Sequence, residues 1–139
     1  MTMERQEAYI VPSTHLVAPR SWHWALDGHP PTNNQILRMD WRKRHRTLKP
    51  WKEQTILLVR SERPRQPLAH ASVVLTMAYL RKPFRDLDGA YACLKFLVDS
   101  LVQGGIIEDD SPEYIALEVL QVLGHRKQVL IDVVEVTGG

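Results

Sequence analysis

With 139 residues, 44% of them hydrophobic, the chain fits one domain with a real core, and it holds no apolar run of the roughly 20 residues that a membrane helix requires. A single cysteine, Cys93, excludes an intrachain disulfide and agrees with a reducing, cytoplasmic location. The net charge of +2 hides a segregation: Arg38 to Arg65 carries ten basic residues against three acids, while Gly104 to Gly139 carries seven acids against Arg126 and Lys127. Such asymmetry points to a polyanion-binding face, or to a solvated helix surface.

Met1 to Arg20 shows no clear period and reads as an arm or a frayed end, with residues 21–139 forming the domain. Glu4 and Glu7 and the lack of a compact apolar block argue against a signal peptide. Ser21 to Leu26 alternates Trp22, Trp24 and Leu26 with polar or small residues, the pattern of a strand. Asp27 to Asn34 is dense in turn formers and predicts an irregular loop.

A short helix is expected over Gln35 to Arg46, capped by Asn33 or Asn34. A second would start near Pro50, with Thr47 as a possible cap, and run to Glu62. That second helix would bury Trp51, Ile56, Leu57 and Val59. Trp41 and Trp51, among the basic residues, are expected as core anchors rather than base-stacking platforms. His70 to Leu80 is near-continuously apolar, as a central strand should be.

Ala90, Leu94, Leu97, Val98 and Leu101 fall on one face of a helix over Asp88 to Gln103, which Gly104-Gly105 would end by permitting a left-handed cap. Tyr114 to Leu123 and Gln128 to Thr137, around Gly124-His125, have the form of a terminal hairpin. The order β-α-α-β-α-β-β implies an α/β fold, a mixed β-sheet packed against two or three helices and closed by a C-terminal β-hairpin.

Carboxylates gather at both ends of the Asp88–Gln103 helix. Asp86 and Asp88, at i and i+2, would point the same way in extended backbone, about 6.6 Å apart at Cα. Clustered acids repel one another unless a cation binds them, and a hard divalent ion with oxygen ligands is the usual candidate. Asp88 also stands where a helix N-cap would. Lys95, seven residues on, returns to the same helix face about 10.5 Å along the axis; it could stabilise negative charge on a phosphate or pair with Asp99.

Glu108-Asp109-Asp110 follows a short strand signal at Ile106-Ile107, so only one of Asp109 and Asp110 should converge with Asp86 and Asp88; a solvated acidic turn is the alternative. Carboxylate-bound magnesium beside a basic surface suggests phosphodiester chemistry on nucleic acid. The six histidines are scattered, with no pair at a zinc-ligand spacing on one helix.

Arg85-Asp86-Leu87-Asp88, then Lys95-x-x-x-Asp99, then Gly105-Ile106-Ile107-Glu108-Asp109-Asp110, preceded by Pro30-Pro31-Thr32-Asn33-Asn34, resembles the RusA family of Holliday junction resolvases over roughly Trp22 to Val136. The resemblance implies a RusA-like fold and a homodimeric endonuclease, cytoplasmic and nucleoid-associated in a bacterium or phage. It would use Mg²⁺, with Mn²⁺ as a substitute, to nick opposing strands of a four-way DNA junction.

It also implies that Asp86, Asp88 and Asp110 are catalytic metal ligands and that Lys95 is the catalytic helix lysine. Arg42, Lys43, Arg44, Arg46, Lys49, Lys52, Arg81, Lys82 and Arg85 are candidate phosphate contacts, and Asn33 and Asn34 candidate contacts on the DNA-facing loop. Phe84 could wedge between bases or fold onto the core. Two departures stand out: the family carries Asn where this chain has Gly89, and the stretch from Asp88 to Lys95 is about three residues longer. A related flap or fork nuclease, and a junction-binding protein without catalysis, remain as alternatives.

Overall fold

The computed structural model describes residues 19–137, so the arm expected over 1–20 lies almost wholly outside the described residues. Seven elements follow in the expected order: β1 (Ser21–Asp27), α1 (Asn33–Leu37), α2 (Trp41–Arg60), β2 (Ala71–Tyr79), α3 (Leu87–Gln103), β3 (Ile115–Leu123) and β4 (Gln128–Glu135). The fold is α/β, with three helices and one four-stranded mixed sheet of order β1-β4-β2-β3. Among the described residues no helix is long and apolar enough to cross a membrane.

The expected C-terminal hairpin does not form. β3 pairs with β2 in parallel, and β4 inserts between β1 and β2, antiparallel to both. Burial explains this. β2 is apolar almost throughout, and its backbone needs hydrogen-bonded neighbours on both edges. Here β3 supplies one neighbour and β4 the other. The connection after Leu123 passes over the end of β2, where the Gly124 amide donates to the Tyr79 carbonyl at 2.7 Å. A methyl on Gly124 would already stand 3.4 Å from Ala78 Cβ.

One sheet face carries the core. Its cross-strand rows, Trp24–Ile131–Leu75–Val119 and Trp22–Val133–Val73–Leu117, join Ala90, Leu94, Leu97, Val98 and Leu101 of α3, all buried as the helical stripe predicts. Cys93 is buried among them. Loss of solvent pushes its thiol above the ordinary cysteine range.

The α1–α2 region departs from expectation. α1 is a five-residue helix capped by Thr32, not by Asn33 or Asn34. The Thr32 hydroxyl accepts from the Gln35 amide (3.1 Å), while the Gln35 side chain accepts from the Thr32 amide (2.8 Å), a reciprocal capping box. α2 then begins after the cap Asp40 and runs 20 residues without a break through Pro50. The expected boundary at Thr47–Pro50 is absent because proline removes one hydrogen bond while the helix keeps its packing on both sides. Thr47 is an interior residue whose hydroxyl bonds the Lys43 carbonyl at 2.8 Å.

α2 buries Thr55 and Val59 and half-buries Trp51 and Ile56, but Leu57 is 63% exposed, contrary to the expected core position. At its C-terminal end it lies so close to α3 that a methyl on Gly104 would stand 2.5 Å from Val59 Cγ2. Gly105, at φ +83°, takes the left-handed conformation that stops α3.

Candidate metal and nucleic-acid site

The N-terminus of α3 is built around Asp86. That residue is extended (φ −65°, ψ 162°) and its carboxylate accepts the Gly89 amide at 2.6 Å, so Asp86, rather than Asp88, is the N-cap. Asp88 lies inside the first helical turn, so the two acids are not the i, i+2 pair of an extended strand. They nevertheless share a recess of about 330 Å³ with Thr32, Asn34, Arg85 and Gly89. The Pro-Pro-Thr-Asn-Asn loop and the Asp-x-Asp motif, some fifty residues apart in sequence, thus meet in space; the first residue of α1, Asn33, belongs to the same loop.

Arg85 makes that meeting rigid. Its guanidinium donates to the Pro30 carbonyl (3.0 Å) and to Cys93 Sγ (3.1 Å), strapping the loop to α3. Its backbone is held in turn: the amide donates to the Tyr79 hydroxyl (3.2 Å), and the carbonyl accepts from the Gln121 side chain (2.7 Å). The Tyr79 hydroxyl also donates to the Gln121 side-chain Oε1. Arg85, a candidate phosphate contact, is therefore committed first to positioning the acids.

Asp110 lies elsewhere. Glu108 to Asp110 form a bend, not a strand, and the Asp110 amide donates to the Asp109 carboxylate at 2.9 Å. Asp110 lines a recess of about 210 Å³ with Tyr91, Lys95 and Val98 of α3 and Pro112, Ile115 and Leu117. Asp88, Tyr91 and Lys95 are spaced i, i+3, i+7, so both recesses open on one face of α3, Tyr91 between them. The three acids share a side of the molecule without sharing a pocket. Among the described residues no three Asp, Glu, His or Cys side chains are placed to hold one metal ion.

The Asp86–Asp88 pair by itself suits magnesium, which keeps several waters and commonly takes one or two carboxylates together with substrate phosphates. One Asp86 oxygen is engaged by Gly89, while Asp86 and Asp88 are both exposed. Asp110 and Lys95 do not complete that shell as they stand.

Two basic regions lie outside the acid recess, one adjoining it at Arg85 and one on α2. Beyond Arg85 a recess of about 720 Å³ is lined by His29, Tyr79, Arg81, Lys82, Phe84 and Lys127, with no acid among its walls. Phe84 is half-buried, packed against the core with its ring 4.8 Å from Tyr79, and so takes the core-facing of its two expected positions. The second region is the first half of α2. Arg44, Lys49 and Lys52 line a groove of about 420 Å³ with Trp41, His45 and Leu48; Arg42, Lys43 and Arg46 are exposed on the same helix. Trp41, expected in the core, is 71% exposed.

The sequence reading missed Gly89, Tyr79 and Gln121 as supports of the site. The Thr32-x-x-Gln35 capping signature was visible in the letters; the Tyr79–Gln121 buttress depends on strand register and was not. Compared with known protein families and with curated proteins, the chain finds no match.

Proposed function

We propose that this protein is a magnesium-dependent endodeoxyribonuclease for branched DNA, acting on four-way junctions by paired symmetric nicks, as its likeness to the RusA resolvases suggests. The observation that carries the reading is the shared recess of Thr32, Asn34, Arg85, Asp86 and Asp88. A strapped acid pair facing a polar loop, with a basic recess adjoining at Arg85 and a basic helix in the same domain, suits a phosphodiester held at a divalent cation.

Asp86 and Asp88 would hold the cation, which supplies Lewis acidity and an activated water. Thr32 and Asn34 would orient the phosphate. Arg81 and Lys82, with the α2 cations Arg42, Lys43, Arg44, Arg46, Lys49 and Lys52, would hold neighbouring phosphates and offset the repulsion between acids and DNA. Lys95 and Asp110, farther along the same face of α3, would meet the strand leaving the cut, Lys95 countering charge on its oxygen. A two-fold dimer would present two such sites, matching the symmetry of a four-way junction.

The test is a panel of labelled substrates, namely four-way junction, fork, flap and blunt duplex, incubated with the protein in Mg²⁺, in Mn²⁺ and in Ca²⁺. The proposal expects cleavage in Mg²⁺ or Mn²⁺, strongest on the four-way junction, and binding without cleavage in Ca²⁺. Preferred cleavage of forks or flaps would move the substrate to another branched DNA. Junction binding with no cleavage in any metal would make the chain a junction-binding protein.

A further inference from the structure

We infer that the Trp41 indole is a stacking platform for an unpaired base, and that the α2 groove beside it carries the backbone of single-stranded DNA. The inference rests on the nucleic-acid part of the proposed function but not on catalysis.

Three of the four tryptophans are accounted for by the fold. Trp24 is buried, Trp22 donates its indole N–H to the Glu62 carbonyl at 2.8 Å, and Trp51 packs edge-on against Phe96. Trp41 is different. It is the first residue of α2 and 71% exposed, and the Arg42 guanidinium lies 5.2 Å from its ring centroid. Leu37, just before it in the chain, is 64% exposed. A large apolar ring left in water forgoes the burial that tryptophan normally contributes, and a flat partner would recover it.

The charge around the ring selects that partner. Trp41, Arg44, Leu48, Lys52 and Ile56 recur at helical spacing along the groove, which runs about 16 Å from Trp41 to Lys52 at 1.5 Å per residue. Lys49 joins Arg44 and Lys52 on its walls, and the one acid there, Glu53, is already 4.0 Å from the Lys49 ammonium. A neutral peptide would use the apolar positions but offers no charge to Arg44, Lys49 and Lys52, and an acidic peptide could pair with those cations but offers no regular series of flat faces for the indole. Nucleic acid uses both, since every base has a face to stack and every linkage a charge to neutralise. A duplex hides its bases, so the ring favours single strands, such as those opened at a branch point.

The groove also lies close in the chain to the acid recess. Asn34 lines that recess, and α1 with the three residues Arg38–Asp40 leads from it to Trp41. A strand parting from the duplex near Asn34 would have Trp41 as the next aromatic surface along the chain.

The experiment uses the full chain in EDTA, so that cleavage plays no part, with a 12-nucleotide oligo-dT and a blunt 12-base-pair duplex as probes. Affinities are read by fluorescence anisotropy of labelled DNA, and the indole by quenching of intrinsic fluorescence. Oligo-dT should quench the wild type and leave the remaining fluorescence of Trp41→Phe unchanged. Trp41→Ala should bind oligo-dT about tenfold more weakly, consistent with loss of one base–aromatic stack, with the duplex affinity nearly unaltered and Trp41→Phe close to wild type.

Unchanged oligo-dT binding by Trp41→Ala, or equal weakening on oligo-dT and duplex, overturns the inference. Because the ring is exposed, the variant should keep its melting temperature, which guards against misfolding as the cause. Cleavage of a junction by the wild type in Mg²⁺ is scored separately: Trp41-dependent binding without cleavage would sink the nuclease reading and leave the platform standing, and the reverse result would do the opposite.

Discussion

The Asp86 carboxylate and the Gly89 backbone meet closely at the start of α3. The carboxylate accepts the Gly89 amide at 2.6 Å, and a methyl on Gly89 would stand 2.5 Å from that same oxygen. The methyl of Gly89→Ala would therefore displace the end of the Asp86 side chain, which can turn and still cap α3, as Thr32 caps α1 over Gln35. Replacing a helical glycine returns about 1 kcal/mol, so urea unfolding should show equal or greater stability. Junction cleavage in Mg²⁺ should nevertheless fall at least about tenfold, as one displaced ligand would cause.

Capping and the proposed metal binding by Asp86 can be separated. Asparagine caps a helix as well as aspartate does, whereas alanine does not. Asp86→Asn should keep stability within about 0.5 kcal/mol and abolish Mg²⁺-dependent cleavage, while Asp86→Ala should lose about 1 kcal/mol as well. Paired urea melts and cleavage assays measure both. Full activity in Asp86→Asn would make the residue a cap and nothing more.

His29 predicts a pH dependence. Its Nε2 donates to the Ala78 carbonyl at 2.6 Å and its ring stands against Tyr79, and burial, reinforced by the charge of Arg85, holds its pKa below the ordinary histidine value. A lowered folded pKa means that the unfolded chain takes up the proton first. Its contribution is thus complete above the unfolded pKa of about 6.5 and is lost as pH falls from there toward the folded pKa. The urea midpoint should drop between pH 7.5 and pH 5.5, and His29→Gln should drop less over the same interval.

Pro50 interrupts the hydrogen-bond ladder of a helix that continues past it. Pro50→Ala should restore the missing bond and raise stability by about 1–3 kcal/mol, read by urea denaturation. Destabilisation instead would mean that α2 depends on a kink at this position.

Much of the scaffold was legible in the letters. The α3 stripe from Ala90 to Leu101, the unbroken apolar run of β2 and the glycine stop at Gly105 are local patterns with local causes. The position of β4 was not legible, because adjacency of Tyr114–Leu123 and Gln128–Thr137 in sequence favours a hairpin, and only competition for the open edge of β2 overrules it. The single α2 was hidden because Pro50 reads equally well as a helix start.

In the site, the motifs that meet around Arg85 were all visible, while their relation to Asp110 was not. That relation depends on how the bend after Gly105 returns along α3, and the bend carries no periodic signal. Trp41 escaped for a similar reason: hydrophobicity foretells burial only when something lies opposite the ring.

The most direct measurement is cleavage of a labelled four-way junction by wild type and Asp88→Asn in Mg²⁺, resolved on a denaturing gel, with binding followed in parallel in Ca²⁺. Asp88 caps nothing, so the substitution should spare the fold. The account predicts symmetric nicks from the wild type, none from Asp88→Asn, and undiminished junction binding by both. Equal cleavage by the variant, or no metal-dependent cleavage of any branched substrate by the wild type, would contradict it.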